Sequence, residues 1–273
     1  MTTPDLEPLA ALEAAYERGL AAERAGDRET AAAAFREVLS LDPEDRGGAS
    51  VRLASLGCGP APDRAPPAYV ATLFDQNAEL FDLMLVERLG YHAPLQLREM
   101  LEARGRTRLG RLLDLGCGTG LAGESLEDMA EHLTGVDLSE GMIAVAHEKE
   151  VYHDLYVGDA EGFLEGAEGE RWDAIVATDV LPYLGEVAPL FALAGRRLNP
   201  GGLFAFSTES APEAAFGDRG WVVGPHQRFA HAPGPLQAAL EAAGFGGVEM
   251  LPIVVRHEQG APVPGLMVLA DRI

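Results

Sequence analysis

The chain has 273 residues, 47% of them hydrophobic, and its 43 acidic residues outnumber 21 basic ones, giving a formal net charge of −22. A negative field of this size repels phosphate backbones, so nucleic acid is not expected as a partner. The excess of acids either keeps the surface solvated or attracts a cationic substrate. No apolar run is long enough to cross a membrane, and the first residues lack the features of a secretory signal, so no membrane partner is expected.

The two cysteines, Cys58 and Cys117, each lie between two glycines. This number and spacing fit neither a disulfide framework nor a cysteine-ligated metal site, so we predict no metal and a reducing, cytoplasmic location. The chain length suits one complete α/β domain and a smaller additional one.

Residues 6–42 are rich in alanine and carry apolar residues at helical spacing on both sides of Gly26-Asp27. Two helices joined by a tight turn form a helical hairpin. Four positions match the spacing of a tetratricopeptide repeat, which this hairpin resembles: Gly19, Ala31, Phe35 and Pro43. One such unit cannot bury its apolar face alone, so either it packs on the rest of the chain or a partner protein or second copy covers it. We predict a helical, repeat-like region over residues 1–56.

Proline is frequent in residues 57–67, which predicts a semi-rigid linker. Apolar residues return at helical spacing from Ala68 to Leu101. We predict that residues 68–110 form a helical lid.

From residue 110 onward, predicted strands and helices alternate, which indicates a mostly parallel sheet covered on both faces. The predicted strands lie near residues 111–115, 132–137, 155–158, 172–178, 202–207, 247–255 and 264–270. The predicted helices lie near residues 120–130, 140–149, 161–166, 186–198 and 235–243. Because only a short link separates the last two strands, we expect them to pair antiparallel. The predicted fold class is α/β, with a doubly wound, mostly parallel, seven-stranded sheet over residues 111–273.

The segment LLDLGCGTG at residues 112–120 leads an apolar strand into three glycines at every second position. Glycine allows positive φ and lets a ligand approach the backbone closely. The following residues begin a helix whose free N–H groups point back at this loop. Asp137 ends the next apolar run, where a carboxylate can accept both hydroxyls of a ribose. Together these features indicate a nucleotide-type site at the mouth of an open α/β sheet.

Four ordered motifs resemble those of the class I S-adenosylmethionine (SAM)-dependent methyltransferases: LLDLGCGTG (112–120), VDLS (136–139), GDA (158–160) and NPGG (199–202). The resemblance implies a Rossmann-like fold, SAM as cofactor and methyl transfer to an acceptor. A closer resemblance is to bacterial methyltransferases that carry tetratricopeptide repeats and mostly lack assigned substrates. It rests on FDQ (74–76), LGYHAP (89–94), YLG (183–185) and RFAH (228–231). The single repeat falls short of the usual array, which leaves a peptide-binding scaffold in doubt.

The resemblance implies a cofactor site made of Asp114, Gly116, Gly118, Gly120, Asp137, Leu138, Met142, Asp159, Ala160, Thr178 and Asp179. The glycines would flank the methionine moiety, with Asp114 near its amine and Asp137 on the ribose diol. Met142 and Asp159 would contact adenine, while Thr178 and Asp179 border the sulfonium. Structural roles stay open for several of these residues: the acids can stabilise the loop or cap helices, and Met142 can belong to the core.

The candidate residues on the acceptor side are identified from the ends of the predicted strands and from the expected lid. Tyr183 can line the acceptor pocket, and Tyr91, His92 and Glu209 are candidates to bind the acceptor. A base is needed only if the nucleophile must lose a proton, and the candidates are His92, His226 and His231. We expect His231 to be the catalytic base of the group, with Tyr183 as a second candidate catalytic residue, although a structural hydrogen-bonding role is the alternative for both.

The most direct interpretation is a SAM-dependent methyltransferase acting on a small-molecule acceptor beneath a lid of residues 68–101 and 208–234. An NAD(P)-dependent oxidoreductase is an alternative, because residues 118–123 also match G-x-G-x-x-G. A repeat-type adaptor with an inactive methyltransferase domain is a second alternative. Arg219, Arg228 and Arg256 are isolated in sequence, so no basic groove is expected. Because the glycine site follows residue 110, we expect a chain starting at Ala68 to bind SAM.

Overall fold

A mixed sheet of nine strands forms the centre of the molecule, which is a computed structural model describing residues 6–273. Residues 1–5 of the predicted N-terminal region lie outside this range. The strands are β1 Gly110–Leu115, β2 Ala130–Asp137, β3 Asp154–Val157, β4 Trp172–Ala177, β5 Leu198–Glu209, β6 Trp221–Val223, β7 Phe229–His231, β8 Phe245–Glu258 and β9 Ala261–Arg272. Strands β3, β2, β1, β4 and β5 are parallel neighbours in that order.

The last two strands of the chain, β8 and β9, complete the sheet with antiparallel pairing. Strand β9 pairs antiparallel with both β5 and β8, as expected for the last two predicted strands. The sheet has nine strands, so the prediction of seven is wrong. The two additional strands, β6 and β7, form a short hairpin that extends the sheet from the end of β5. Each strand of that hairpin has three residues, too few for an alternating apolar pattern to be visible in the sequence.

Helices cover both faces of the sheet, which makes it doubly wound. They are α6 Leu121–Leu126, α7 Glu140–Glu148, α8 Ala160–Gly166, α9 Ala188–Arg197 and α10 Pro233–Ala242. Successive strand residues point to opposite faces, so Leu113 packs in one core with α9 while Leu112 packs in the other. Within residues 6–273, no helix combines the length and apolar character needed to cross a membrane.

The N-terminal region contains the expected helical hairpin, α1 Leu6–Arg24 and α2 Arg28–Leu41, followed by α3 Ala49–Ser55. Phe35 is completely buried between the two long helices. A Cβ at Gly19 would lie 2.6 Å from the Phe35 ring, so glycine allows the helices to approach here. The kinship of this hairpin with tetratricopeptide repeats stays a prediction.

The third N-terminal helix, α3, packs on the rest of the chain, so the N-terminal region adopts the first of the two arrangements considered above. Val51 of α3 lies in one buried cluster with Tyr183, Trp221 and Phe229. The proline-rich segment also docks: the Ala65 amide donates to the Tyr183 carbonyl at 2.8 Å. Near residue 65, the proline-rich segment therefore packs against the rest of the chain and is not a free spacer.

The predicted lid consists of α4 Pro67–Asp75, a 3₁₀ turn Ala78–Leu80, a π-helical turn Leu83–Arg88 and α5 Ala93–Ala103. Two of its carboxylates bind loops at the edge of the sheet. Asp75 accepts from the Ser139 hydroxyl and from the Gly141 amide. Asp82 accepts from the Thr119 hydroxyl and from Lys149, whose Nζ lies 2.7 Å away. Lys149 is the only lysine in the sequence; it follows the end of α7 and joins Asp82 of the lid to Glu124 of α6.

Candidate functional site

A cavity lies at the carboxyl ends of β1, β2 and β4, underneath the lid. Its empty volume is about 1050 Å³, including the part open to solvent. Strand β1 has β2 on one side and β4 on the other, and this reversal of strand order opens a crevice above the sheet. Phe74, Phe81 and Tyr91 of the lid form its apolar wall.

The glycine loop forms the floor of this cavity. Gly116, Gly118 and Gly120 have φ values of 65°, 55° and 95°, in the left-handed region that glycine tolerates. A Cβ at Gly116 would meet a Val180 methyl at 2.4 Å, so the turn has no room for one. A Cβ at Gly118 would meet no atom within 4 Å, and Gly118 lines the cavity. Open space therefore lies directly beside the loop backbone.

Asp137 lines the cavity at the end of β2 and is fixed by two backbone amides. Its Oδ2 accepts from Gly118 N and its Oδ1 from Ser139 N, both at 2.9 Å. Burial raises the pKa of Asp137, while these hydrogen bonds oppose the shift. Each carboxylate oxygen keeps a further lone pair for a ligand hydroxyl. The neighbouring Leu138 also lines the cavity.

Asp114 lies beneath the glycine loop and does not line the cavity. Tyr152 Oη donates to its Oδ2 at 2.7 Å, and its Oδ1 has no hydrogen-bond partner within the described chain. Burial raises the pKa of Asp114 to about 7, and the charge of Asp137 adds to this shift. The carboxyl group is thus poised to ionise when a cation comes near.

Residues after β3 form a second wall. Asp159 and Ala160 both line the cavity, and Asp159 also caps α8 by accepting from Gly162 N at 2.9 Å. Glu161 lines the cavity beside them and forms an ion pair with Arg64. Met142 is fully buried in α7 and does not line the cavity, so its position is that of a core residue.

The end of β4 brings Thr178 and Asp179 to the cavity. Asp179 adopts a left-handed conformation with φ of 60°, which is uncommon for a residue other than glycine. Arg228 Nη1 lies 3.4 Å from one of its carboxylate oxygens, and Arg256 Nη1 lies 3.9 Å from the other. That second oxygen, Oδ1, has no hydrogen-bond partner among the residues described.

Two arginines lie close to this aspartate. Arg228 and Arg256 are isolated in the sequence, but the expectation that they are also isolated in the folded chain is wrong. Arg256 is 1% exposed and donates to Glu209 Oε1 at 2.7 Å. Burial raises the pKa of Glu209, and the two guanidinium groups oppose that shift. Glu209, a candidate for acceptor binding, is therefore paired inside the protein and lies outside the cavity lining.

Two tyrosines face the cavity from opposite elements. Tyr91 and Tyr183 both line it, and burial raises the pKa of each hydroxyl. The guanidinium carbon of Arg228 lies 4.9 Å from the ring centre of Tyr183. Phe74 contacts the same ring edge-on, with centroids 5.4 Å apart. Tyr183 Oη is buried and has no hydrogen-bond partner in the described structure.

The three candidate histidines all lie outside the cavity lining. His231 is 2% exposed, with Nδ1 2.7 Å from Thr208 Oγ1 and Nε2 3.2 Å from the Gly185 carbonyl. Burial lowers the pKa of His231 to about 4, so the ring is neutral near pH 7. His92 is exposed before α5, and His226 pairs with Glu258 at 3.0 Å.

Comparison with known proteins agrees with this geometry. Residues 113–206 match the family model described as a methyltransferase domain. The ubiquinone biosynthesis O-methyltransferase of Azorhizobium caulinodans is 32% identical over 158 residues, which cover 53% of this chain and 62% of that protein. The chain thus spans less than two thirds of this curated relative.

Two solved structures share the fold. The DhpI–SAH complex has a TM-score of 0.54 at 17% identity, covering 76% of this chain and 97% of that chain. Streptomyces venezuelae DesVI has a TM-score of 0.54 at 21% identity, covering 72% and 98%. Residues 113–206 therefore resemble a methyltransferase domain, and the chain shares the Rossmann-like α/β fold of these two structures.

Proposed function

We propose that the protein is a SAM-dependent methyltransferase that acts on a small-molecule acceptor. The observation that carries this proposal is the cavity at the ends of β1, β2 and β4, which joins the glycine loop to Asp137 within the matched domain. Such a loop beside a strand-end carboxylate suits a nucleoside ligand. The relative from Azorhizobium caulinodans is, by its name, an O-methyltransferase of ubiquinone biosynthesis.

The residues present fit SAM. The space beside Gly118 allows a ligand to lie against the backbone. Three buried polar atoms near the cavity have no partner in the described structure: Asp114 Oδ1, Asp179 Oδ1 and Tyr183 Oη. An unpaired buried polar atom is costly, so a polar ligand that satisfies such atoms is stabilised.

Individual roles follow from these positions. Asp137 would hold the ribose diol through its remaining lone pairs, and Asp159 would accept from the adenine amino group. Asp114 would face the methionine amine through its free oxygen. When bound, SAM supplies a methyl group activated by a sulfonium. The lid would exclude water and orient the acceptor, which accounts for much of the acceleration in a displacement of this kind.

The lid favours a small acceptor. Phe74, Phe81 and Tyr91 cover the cavity, and the Asp82–Lys149 pair holds the lid against the loops. A polymer would have to displace this cover. The hairpin of α1 and α2, by resemblance to a repeat, would provide a surface for a partner protein or a second copy of the chain.

The test uses SAM with a labelled methyl group, the purified protein and a fraction of bacterial metabolites. We expect the label to enter a low-molecular-mass product. Label recovered instead in added nucleic acid, or hydride transfer from NAD(P)H with no methyl transfer, would reject the proposal.

A further inference from the structure

The lining of the cavity carries an excess of negative charge. This inference rests on the proposed function and concerns the acceptor. Four carboxylate residues line the cavity: Asp137, Asp159, Glu161 and Asp179. Among the described residues that line the cavity, Arg64 is the only arginine, and it forms an ion pair with Glu161. An anionic acceptor would therefore meet repulsion without a free cationic partner.

Asp179 lies just after β4, where the resemblance places the sulfonium, and the charged groups around it carry a net negative charge. Around it lie three carboxylates, Asp179, Glu209 and Glu258, and two guanidinium groups, Arg228 and Arg256. These five charges sum to minus one. Asp179 Oδ1 has no hydrogen-bond partner in the described structure, and neither has Arg256 Nη1, which lies 3.9 Å from it. The free oxygen thus offers a site to one hydrogen-bond donor that carries positive charge.

Aromatic rings line the same cavity as Asp179. Tyr183 lines the cavity and stands edge-on to Phe74, which in turn stands edge-on to Phe81 at 5.7 Å. Aromatic faces attract cations within about 6 Å. Rings and a carboxylate together are a common environment for an ammonium group.

The cavity offers little help to an acceptor that must become an anion. No histidine lines it within the described residues, and the tyrosine hydroxyls are held protonated by burial. A phenol has a pKa of about 10 and an ordinary aspartate about 3.9, so aspartate is a poor base towards it. A phenolate would also face the carboxylates described above. An amine avoids this repulsion: the carboxylates attract its ammonium form, which gives one proton to water before reaction, and the neutral nitrogen then gains positive charge as it is methylated.

We propose that the acceptor is an amine on an apolar or aromatic frame, and that Asp179 Oδ1 receives its N–H group. The nitrogen lone pair forms the new N–C bond while the S–CH₃ bond breaks, and its electron pair stays on sulfur. The positive charge moves from sulfur to nitrogen, where Asp179 stabilises it. The extra proton on the product nitrogen then passes to water.

The test compares three probes of similar shape and different charge: benzylamine, benzyl alcohol and benzoate. Their dissociation constants are measured by calorimetry on the full chain saturated with S-adenosylhomocysteine (SAH). We expect benzylamine to bind about tenfold or more tightly than benzoate, as for one charge-assisted contact. Asp179→Asn should reduce this advantage to about threefold or less, whereas Asp218→Asn, which removes an exposed carboxylate, should preserve it.

The possible outcomes distinguish the proposed function from the inference about the acceptor. If SAH itself does not bind to folded protein, the proposed function fails. If SAH binds and benzylamine has no advantage over benzoate, or none of the three probes binds, the inference about the acceptor is overturned and the cofactor assignment stands. The wild-type series decides the matter even if Asp179→Asn does not fold.

Discussion

Arg64 of the proline-rich segment forms an ion pair with Glu161 at the start of α8, although 97 residues separate them in sequence. Both residues line the cavity. The segment that precedes the lid thus contributes directly to the mouth of the candidate cofactor site.

The first prediction concerns this pair. Removing residues 1–67 should weaken SAH binding, because it deletes Arg64 and Ala65 from the cavity wall. Arg64→Ala alone should weaken binding about twofold to fivefold, the range of a partly exposed ion pair. Calorimetry on both variants checks this, with Arg18→Ala as a control from an ion pair remote from the cavity. A chain starting at Ala68 that folds and keeps full affinity would contradict the role of the segment.

The second prediction concerns Asp137. Asp137→Ala should weaken SAM binding about tenfold or more, because a charge-assisted contact contributes about 1.5–3 kcal/mol. Asp128→Asn removes a carboxylate from an exposed pair and should leave affinity unchanged. Asp137 also binds two loop amides, so the thermal unfolding of each variant should be recorded beside its dissociation constant. Equal affinity in wild type and variant would mean that the ribose is held elsewhere.

A pH dependence follows from Asp114, whose pKa burial raises to about 7. Its ionised form would attract the SAM amine, so affinity should rise as the pH increases from about 6 to 8. In Asp114→Asn this rise should be smaller, and the difference between the two profiles isolates the carboxyl group from titration of the ligand. Superimposable profiles would remove Asp114 from contact with the amine.

His231 is expected to stabilise the fold rather than to accept a proton from substrate. Its ring joins Thr208 to the Gly185 carbonyl, and losing a buried partner costs about 1–3 kcal/mol. Since its folded pKa of about 4 lies below the unfolded value of about 6.5, the unfolded state binds the proton first as the pH falls. This contribution is therefore present above about pH 6.5 and is lost progressively towards pH 4.

Urea unfolding of wild type and His231→Gln at pH 7.5 and pH 5.5 measures both effects. The variant should be less stable at the higher pH, and the gap should narrow at the lower pH. SAH affinity in the folded variant should be retained. A variant of normal stability that has lost only methyl transfer would instead support the catalytic role suggested by the sequence.

The sequence alone predicts the parts of this molecule that depend on neighbouring residues. Strand periodicity and the three glycines of residues 112–120 identify the sheet and the floor of the cavity. Asp137 is found because a strand-end acid has a fixed place in this fold. These features need no knowledge of which distant segments meet.

Features that depend on distant contacts are missed. Arg228 and Arg256 are isolated in sequence. Arg228 precedes β7 and Arg256 lies in β8, so only the folded chain brings both to Asp179. The hairpin of β6 and β7 is too short to show a period. His231 resembles a catalytic base in sequence because nothing there reveals that both ring nitrogens have protein partners.

Calorimetric titration of the purified, folded protein with SAM and with SAH, beside NAD(H), tests the central claim most directly. The account predicts saturable binding of SAM and SAH at one site per chain and no comparable heat with NAD(H). Absence of binding by both adenosyl ligands, or preferential binding of NAD(H), would contradict it.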